Sequence, residues 1–252
     1  MSLSVIRPEW PVPSFVQAFT TTRQGGVSDE PFDTLNLALH VGDHPSKVAE
    51  NRERLGRSES IPHPCWLTQV HSTRVIPHGQ PLTEADGCFT HSPGHTCLVM
   101  TADCLPVLLA NKAGNWVAAI HAGWRGLAKG VLLEAVQKYH GTSELMAWIG
   151  PAICQKHFEV GDDVRESFVN VDSTYEQYFK SSNNKWLCDL PAIAEHQLSG
   201  KNIDVYQSNM CTYEQEVQFF SHRRASHNQK NHSAAQTGRM VTAIWIEHTE
   251  ED

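Results

Sequence analysis

The chain has 252 residues, 40% of them hydrophobic and 8% aromatic, which supports a substantial core and excludes a disordered polymer. Its formal net charge is −8, with no lysine or arginine run to offset it, so nucleic acid and membrane surfaces are poor partners and small molecules are better ones. Seven cysteines, an odd number without C-x-x-C spacing, fit reduced thiols better than a disulfide framework.

The opening stretch MSLSVIRPEWPVPS lacks an apolar signal core, and no run approaches the ~20 apolar residues that span a bilayer. A soluble, cytoplasmic protein with no obligatory protein partner is the expectation. A strand is expected over 12–21, leading into the loop 22–28. There Gly25 and Gly26 follow Arg23, either as a plain surface turn or as backbone passing close to a ligand, with Arg23 free to reach a phosphate or carboxylate. Asn36 and His40 come next, then a helix over 45–55 with Asp43 as its cap. The stretch 66–71 alternates like a strand, with Thr68 and Val70 on one face and Gln69 and His71 on the other. Residues 84–88 read as a turn and 91–95 as a polar loop.

The stretch 96–139 carries the densest pattern. Three apolar runs, 97–101, 105–110 and 116–120, have the length of buried strands. Thr101-Ala-Asp103-Cys104 breaks the apolar sequence with a carboxylate and a thiol, and His121 closes the third run. Beyond it, Gly123 and Gly126 flank Arg125, and apolar residues then recur at helical spacing over 127–139. The glycines either make a tight turn or open a helix N-terminus that holds an anion beside Arg125. A strand is expected over 146–149, helices over 162–180 and 191–198 with Gly200 ending the second, and strands over 203–206 and 240–246. The composition of 221–238 is that of a mobile loop. With no repeat and no linker, residues 1–252 read as one α+β domain, its mixed β-sheet covered by helices. Neither a dinucleotide fingerprint nor a P-loop occurs.

The segments LTQVHSTRV, ADGCFT, TADCLPVLL, HAGWRGLAKGVL, GPAICQKHFEVGDDV, FFSHRR and TGRM, with TTRQGGVS and LNLALHVGD before them, together resemble the YfiH family. That family is also called the multicopper polyphenol oxidase or laccase-domain family and the peptidoglycan editing factor family. The resemblance covers nearly the whole chain. It implies a Zn2+ ion held by His71, Cys104 and His121, and two imidazoles with a thiolate are indeed zinc-type donors that leave a fourth position open. Asp103, beside Cys104, is a candidate proton acceptor or orienting group, or a buried structural one.

The activities implied are phosphorolysis of adenosine, inosine and methylthioadenosine to free base and a sugar 1-phosphate, and deamination of adenosine. Arg23, Arg125 and the adjoining helix N-terminus are the candidate phosphate contacts, and Asn36 and Gln69 the candidate sugar or base contacts. True laccase chemistry is disfavoured, because none of the 15 histidines is spaced H-x-H. Cu2+ in the zinc set would support only adventitious oxidation. An alternative makes Cys104 the nucleophile of an amidase acting on peptidoglycan precursors, activated by His71 or His121. A third reading is a metal-stabilised binding protein without turnover. The chain departs from the family pattern at Cys154, where glycine is usual, and in a longer stretch over 225–236 that carries His227 and His232. A solvated loop accounts for those two histidines more simply than metal ligation.

Overall fold

The computed structural model describes residues 3–81, 84–228 and 235–248. In chain order the first elements are β1 (Val5–Ile6), β2 (Val16–Thr21), α1 (Pro45–Glu59), β3 (Pro64–Cys65), β4 (Val75–Pro77) and β5 (Gly87–Thr90). The central elements are β6 (Thr96–Thr101), β7 (Leu105–Asn111), β8 (Val117–Ala122), α2 (Trp124–Ala128), α3 (Val131–Gln137) and β9 (Leu145–Ile149). There follow β10 (Glu159–Val160), α4 (Asp162–Val169), β11 (Phe179–Ser182), β12 (Lys185–Cys188), α5 (Leu190–Ser199), β13 (Asp204–Gln207), α6 (His222–Asn228) and β14 (Met240–Ile246).

The fold is α+β with mixed sheets. A five-stranded sheet runs β1-β2-β14-β6-β3, a six-stranded sheet β13-β9-β7-β8-β5-β4, and a small one β10-β12-β11. Most neighbours are antiparallel, and β3/β6, β4/β5 and β9/β13 are parallel.

The two large sheets pack face to face, and the period-2 alternation of each strand decides which core a residue joins. Cys97 and Val99 of β6, Leu108 and Ala110 of β7, and Val117 and Ala119 of β8 meet between the sheets. The alternate residues of β7 and β8, Val107, Leu109, Ala118 and Ile120, face away, into a core shared with α3 and α5 through Leu132, Ala135, Ile193 and Leu198. On the other side, Leu98 and Met100 of β6 pack with Leu55 of α1 and with Leu35 and Leu37. Four layers result. Strands covered on both faces need apolar residues at every position, which is why β6, β7 and β8 read as continuous apolar runs.

Several expectations are corrected. The strand expected over 12–21 begins at Val16. Residues 66–71 follow β6 without being a strand, because a side chain does the pairing: Gln69 Nε2 donates to Met100 O (2.8 Å) and Met100 N donates to Gln69 Oε1 (2.7 Å). His44, not Asp43, caps α1, accepting from Ser46 N. Asp43 instead accepts from Ser28 Oγ (2.6 Å) and Asn36 Nδ2 (2.9 Å) in a buried polar knot. The single helix expected over 127–139 is two, α2 and α3, broken where Gly130 adopts φ +88°. The helix over 162–180 ends at Val169, a 3-10 turn over Ser173–Tyr178 follows, and the chain then forms β11. Part of the loop expected over 221–238 is helix α6, and residues 229–234, with His232, lie outside the described residues.

No described helix is long and apolar enough to cross a membrane. Leu108 is fully buried between the two sheets. Leu108→Ala is expected to destabilise the protein by ~2–5 kcal/mol, read from the urea unfolding midpoint.

Candidate metal centre

The register of β7 with β8 sets Leu105 opposite Ala122 and Pro106 opposite His121, so Cys104, one residue before β7, lies at the same end of the sheet as His121. The segment between β3 and β4 brings His71 over both. Its ring centroid is 4.8 Å from that of His121, and its Nε2 is 4.0 Å from Cys104 Sγ. One ligand atom from each of the three residues lies within 4.8 Å of the others. Ligands at ~2.0–2.3 Å from a common ion span such separations, so a sulfur and two imidazole nitrogens fit a three-coordinate protein site with one position open.

Backbone strain marks the centre. His71 has φ 58° and Asp103 φ 90°, both in the left-handed region that non-glycine residues seldom adopt. Gly123, the residue before α2, has no room for a side chain: a Cβ there would lie 2.7 Å from His71 Cδ2 and 3.1 Å from Cys104 Sγ. The glycine therefore lets backbone pass directly beneath the ligands.

Asp86 holds the arrangement together, and the sequence reading left it inside a turn. Its carboxylate is fully buried. Oδ1 is 2.8 Å from His121 Nδ1 and accepts from His71 N (3.0 Å). Oδ2 accepts from Ser72 N (2.6 Å) and Ser72 Oγ (2.7 Å). Burial opposes ionisation of this carboxyl, but the hydrogen bonds from His121 and Ser72 outweigh it and hold the pKa down to about 2. With Nδ1 bonded to a carboxylate, His121 presents Nε2 as its ligand atom, the orientation typical of metal-bound histidine. Burial likewise opposes charge on both Cys104 and His121, yet their mutual attraction prevails. The thiol is lowered to about 6 and the imidazole raised to about 9.

The three groups open into a cavity of about 480 Å³ that is also lined by Gln69, Asp103, Arg125, Arg223 and Arg239. Arg125 lies over the Trp124 ring, 4.3 Å from its centroid. Arg223 reaches in from α6, with Nη1 donating to His157 O (3.3 Å). Arg239 is anchored by Nη1 to Thr237 O (2.9 Å) and Gly238 O (3.0 Å). The carboxylate in this wall, Asp103, accepts from Thr212 Oγ1 (2.6 Å) and Arg223 N (2.7 Å), so it joins the C-terminal segments to the centre. Thr101 also lines the cavity, but its hydroxyl is buried away from it and has no partner among the described residues.

Two of the expected substrate contacts lie elsewhere. Arg23 faces away from the cavity: it pairs with Asp33 (2.8 Å), donates to Asp33 O and lies over Phe220. Asn36 is fully buried and holds Ala38 and Asp43. It touches the site at one remove, because its Oδ1 accepts from Arg239 N (3.0 Å). Gln69 lines the cavity with its amide engaged by Met100. Among the other residues named from sequence, His227 is exposed and hydrogen-bonded to Tyr213 OH, away from the ligand set.

A family model described as multi-copper polyphenol oxidoreductase laccase matches residues 17–247. The chain belongs to this family. It is 44% identical over 248 residues to purine nucleoside phosphorylase YfiH of Escherichia coli strain K12, covering 96% of this chain and 98% of that protein. A purine nucleoside phosphorylase of Haemophilus influenzae is 46% identical over 253 residues, covering 97% and 100%. Among solved structures, a Neisseria meningitidis protein matches with a TM-score of 0.89 at 38% identity, covering 97% of this chain and 99% of that one. YlmD of Geobacillus stearothermophilus matches with a TM-score of 0.84 at 28% identity, covering 98% of each chain. The donor set of this laccase-family chain is nonetheless narrower than the family description. Blue-copper and trinuclear centres need many imidazoles, and among the described residues only one other ligand group converges, Cys154 with His157 and Glu214.

Asp86→Asn is expected to weaken metal binding by ~10–100-fold, measured by competition with a chromophoric chelator. In metal-free protein, the thiolate reactivity of Cys104 should rise with pH and reach half its maximum near pH 6, followed by alkylation and peptide mass spectrometry.

Proposed function

We propose that the chain is a zinc-dependent purine nucleoside phosphorylase, which uses phosphate to cleave adenosine, inosine or methylthioadenosine into free base and a sugar 1-phosphate. The observation that carries this reading is the pairing of the His71, Cys104 and His121 set with three arginines, Arg125, Arg223 and Arg239, in one cavity. A nucleoside and an inorganic phosphate are small enough for a cavity of about 480 Å³. The phosphorylases of Escherichia coli and Haemophilus influenzae named above support the same substrate class.

Two sulfur-free donors and one thiolate suit zinc, and when bound the ion supplies Lewis-acid polarisation and lowers the pKa of a coordinated water. The remaining work falls to the chain. Asp86 keeps His121 in one tautomer and one orientation. The three guanidiniums offer forked donors to a phosphate and to the charge that develops during displacement at the sugar carbon. Arg239 is the best placed of them to stay fixed, since its backbone is tied to Asn36 and its Nη1 to two carbonyls. Deamination of adenosine to inosine is a second activity that the same set would support, because an acidified water beside a bound purine meets its need.

A different reading rests on one specific observation: Asp86, His121 and Cys104 also have the order of an acid, base and nucleophile, with the thiol lowered to about 6. Such a thiolate would serve an amidase acting on peptidoglycan precursors. Metal content separates the two readings, since a thiolate held by zinc is a poor free nucleophile.

The deciding experiment incubates zinc-loaded protein with adenosine, with and without phosphate, and separates the products. Free base and ribose 1-phosphate appearing only with phosphate is the expected result. No conversion in either condition, with turnover of a muramyl-peptide amide by metal-free protein, would replace the phosphorylase with the amidase. His121→Ala should lose zinc and phosphorolysis together. Arg239→Ala should raise the KM for phosphate by ~10-fold or more, consistent with loss of a charged hydrogen bond, while deamination changes little.

A further inference from the structure

Behind the wall formed by Asp103 lies a second cluster of reactive side chains, outside the cavity: Cys154, Cys211, His157 and Glu214. Two chain segments run side by side there. Ala152 and Cys211 form an isolated parallel bridge, with Ala152 N donating to Met210 O (3.2 Å) and Thr212 N to Ala152 O (2.9 Å). This pairing sets Cys154 Sγ 2.8 Å from Cys211 Sγ, and Cys154 N donates to the Cys211 sulfur at 3.3 Å. Both cysteines are free thiols.

A shared cation does not suit this geometry. Tetrahedral zinc holding both sulfurs at ~2.3 Å keeps them roughly 3.7 Å apart, well beyond the observed contact. The Glu214 carboxylate already bonds Lys156 Nζ (2.9 Å) and His157 Nε2 (2.9 Å), and the lysine brings a positive charge to the cluster. A sulfur–sulfur bond asks for an approach of less than an ångström, to the ~2.05 Å of a disulfide.

The segments that this bond would join are the ones that hold Asp103. Ile153 N, next to Cys154, donates to Asp103 O (3.0 Å). Thr212 Oγ1, next to Cys211, donates to Asp103 Oδ1 (2.6 Å). Asp103, with its left-handed φ of 90°, is the residue before the ligand Cys104.

We propose that Cys154 and Cys211 are a reversible dithiol–disulfide site, oxidised by exchange with a small-molecule disulfide of the glutathione type, and that the bond locks together the two segments that carry Asp103. Cys154 is the less buried of the pair and attacks first. Its thiolate bonds one sulfur of the oxidant, the oxidant's S–S bond breaks, and one thiol leaves. The Cys211 thiolate then attacks Cys154 Sγ, breaks the mixed disulfide and releases the second thiol. The two protons of the cysteines end on the two released thiols, and the two electrons lost by the pair reduce the oxidant. Burial, with the neighbouring Cys211, raises the Cys154 thiol to about 12, which makes this a slow, state-setting exchange rather than a turnover chemistry.

The test uses the full-length, zinc-loaded protein equilibrated with oxidised glutathione, then alkylated under denaturing conditions, digested and analysed by mass spectrometry. The expected product is one crosslinked peptide pair through Cys154 and Cys211, reversed by dithiothreitol. Amide exchange over 150–155 and 208–213 should slow at least several-fold in the oxidised form. Cys154→Ser, a near-isosteric change, should remove both the crosslink and the slowing. All thiols remaining free, or glutathione retained on Cys154 without a crosslink, would overturn the pairing. A crosslink without slower exchange would overturn the locking role. Protection of both thiols from alkylation of the native protein by zinc added beyond the loaded equivalent, in place of the oxidant, would assign the cluster to a cation and overturn the proposal as well.

Discussion

The Asp86 carboxylate is the point on which the centre depends. It is a buried anion, and a buried anion persists only where donors converge on it. Here they come from His121, from both the backbone and the hydroxyl of Ser72, and from the backbone of His71. The same carboxylate therefore orients one candidate ligand, His121, through its ring and another, His71, through its main chain. Its position follows from sheet pairing: Gly87 of β5 stands opposite Ile120 of β8, and His121 N donates to Asp86 O at 2.7 Å. A slip of one residue in that register would turn Asp86 and His121 to opposite faces and dissolve the site.

The cavity's charge is assembled in a different way. Arg125 follows directly from the β8-to-α2 turn, whereas Arg223 and Arg239 come from the far end of the chain. Arg239 lies one residue before β14, the strand that pairs with both β2 and β6 and so stands next to the strand leading to Asp103. The N-terminal loop and the polar knot of Ser28, Asn36, Asp43 and Asn51 support it from outside. Asn36 belongs to that support, and Arg23 ties the loop to the 216–220 region. Polar residues that sequence reading assigns to a ligand thus do structural service, since buried amides and guanidiniums must be bonded wherever they sit.

Asp103 links these two systems. Its peptide is strained, its carbonyl is held by Ile153 and its carboxylate by Thr212 and the backbone of Arg223. Four segments distant in sequence meet at one residue adjacent to the candidate ligand Cys104. Strain of this kind persists only where the surrounding bonds over-determine it, and here they do. The Cys154 and Cys211 pair stands directly behind this junction.

Local sequence determined a good deal of this protein. The apolar runs of β6, β7, β8 and β14 are legible because strands buried on both faces require apolar side chains throughout, and α5 is legible from its spacing and from Gly200 at its end. Cys104 and His121 stand out because a thiol and an imidazole at the ends of such runs are chemically conspicuous, whereas His71 joins them in the sequence only through the family resemblance. Tertiary structure alone decided the rest. Gln69 substitutes for a strand's backbone only because Met100 lies beside it, and α2 separates from α3 only because Gly130 turns left-handed there. Asp86 looks like a turn residue until β5 pairs with β8, and Arg239, just ahead of the last expected strand, has no visible tie to the site until β14 enters the five-stranded sheet. Periodicity encodes which face of an element is buried. Which distant elements meet, and so which charges share one cavity, depends on long-range pairing that no local window contains.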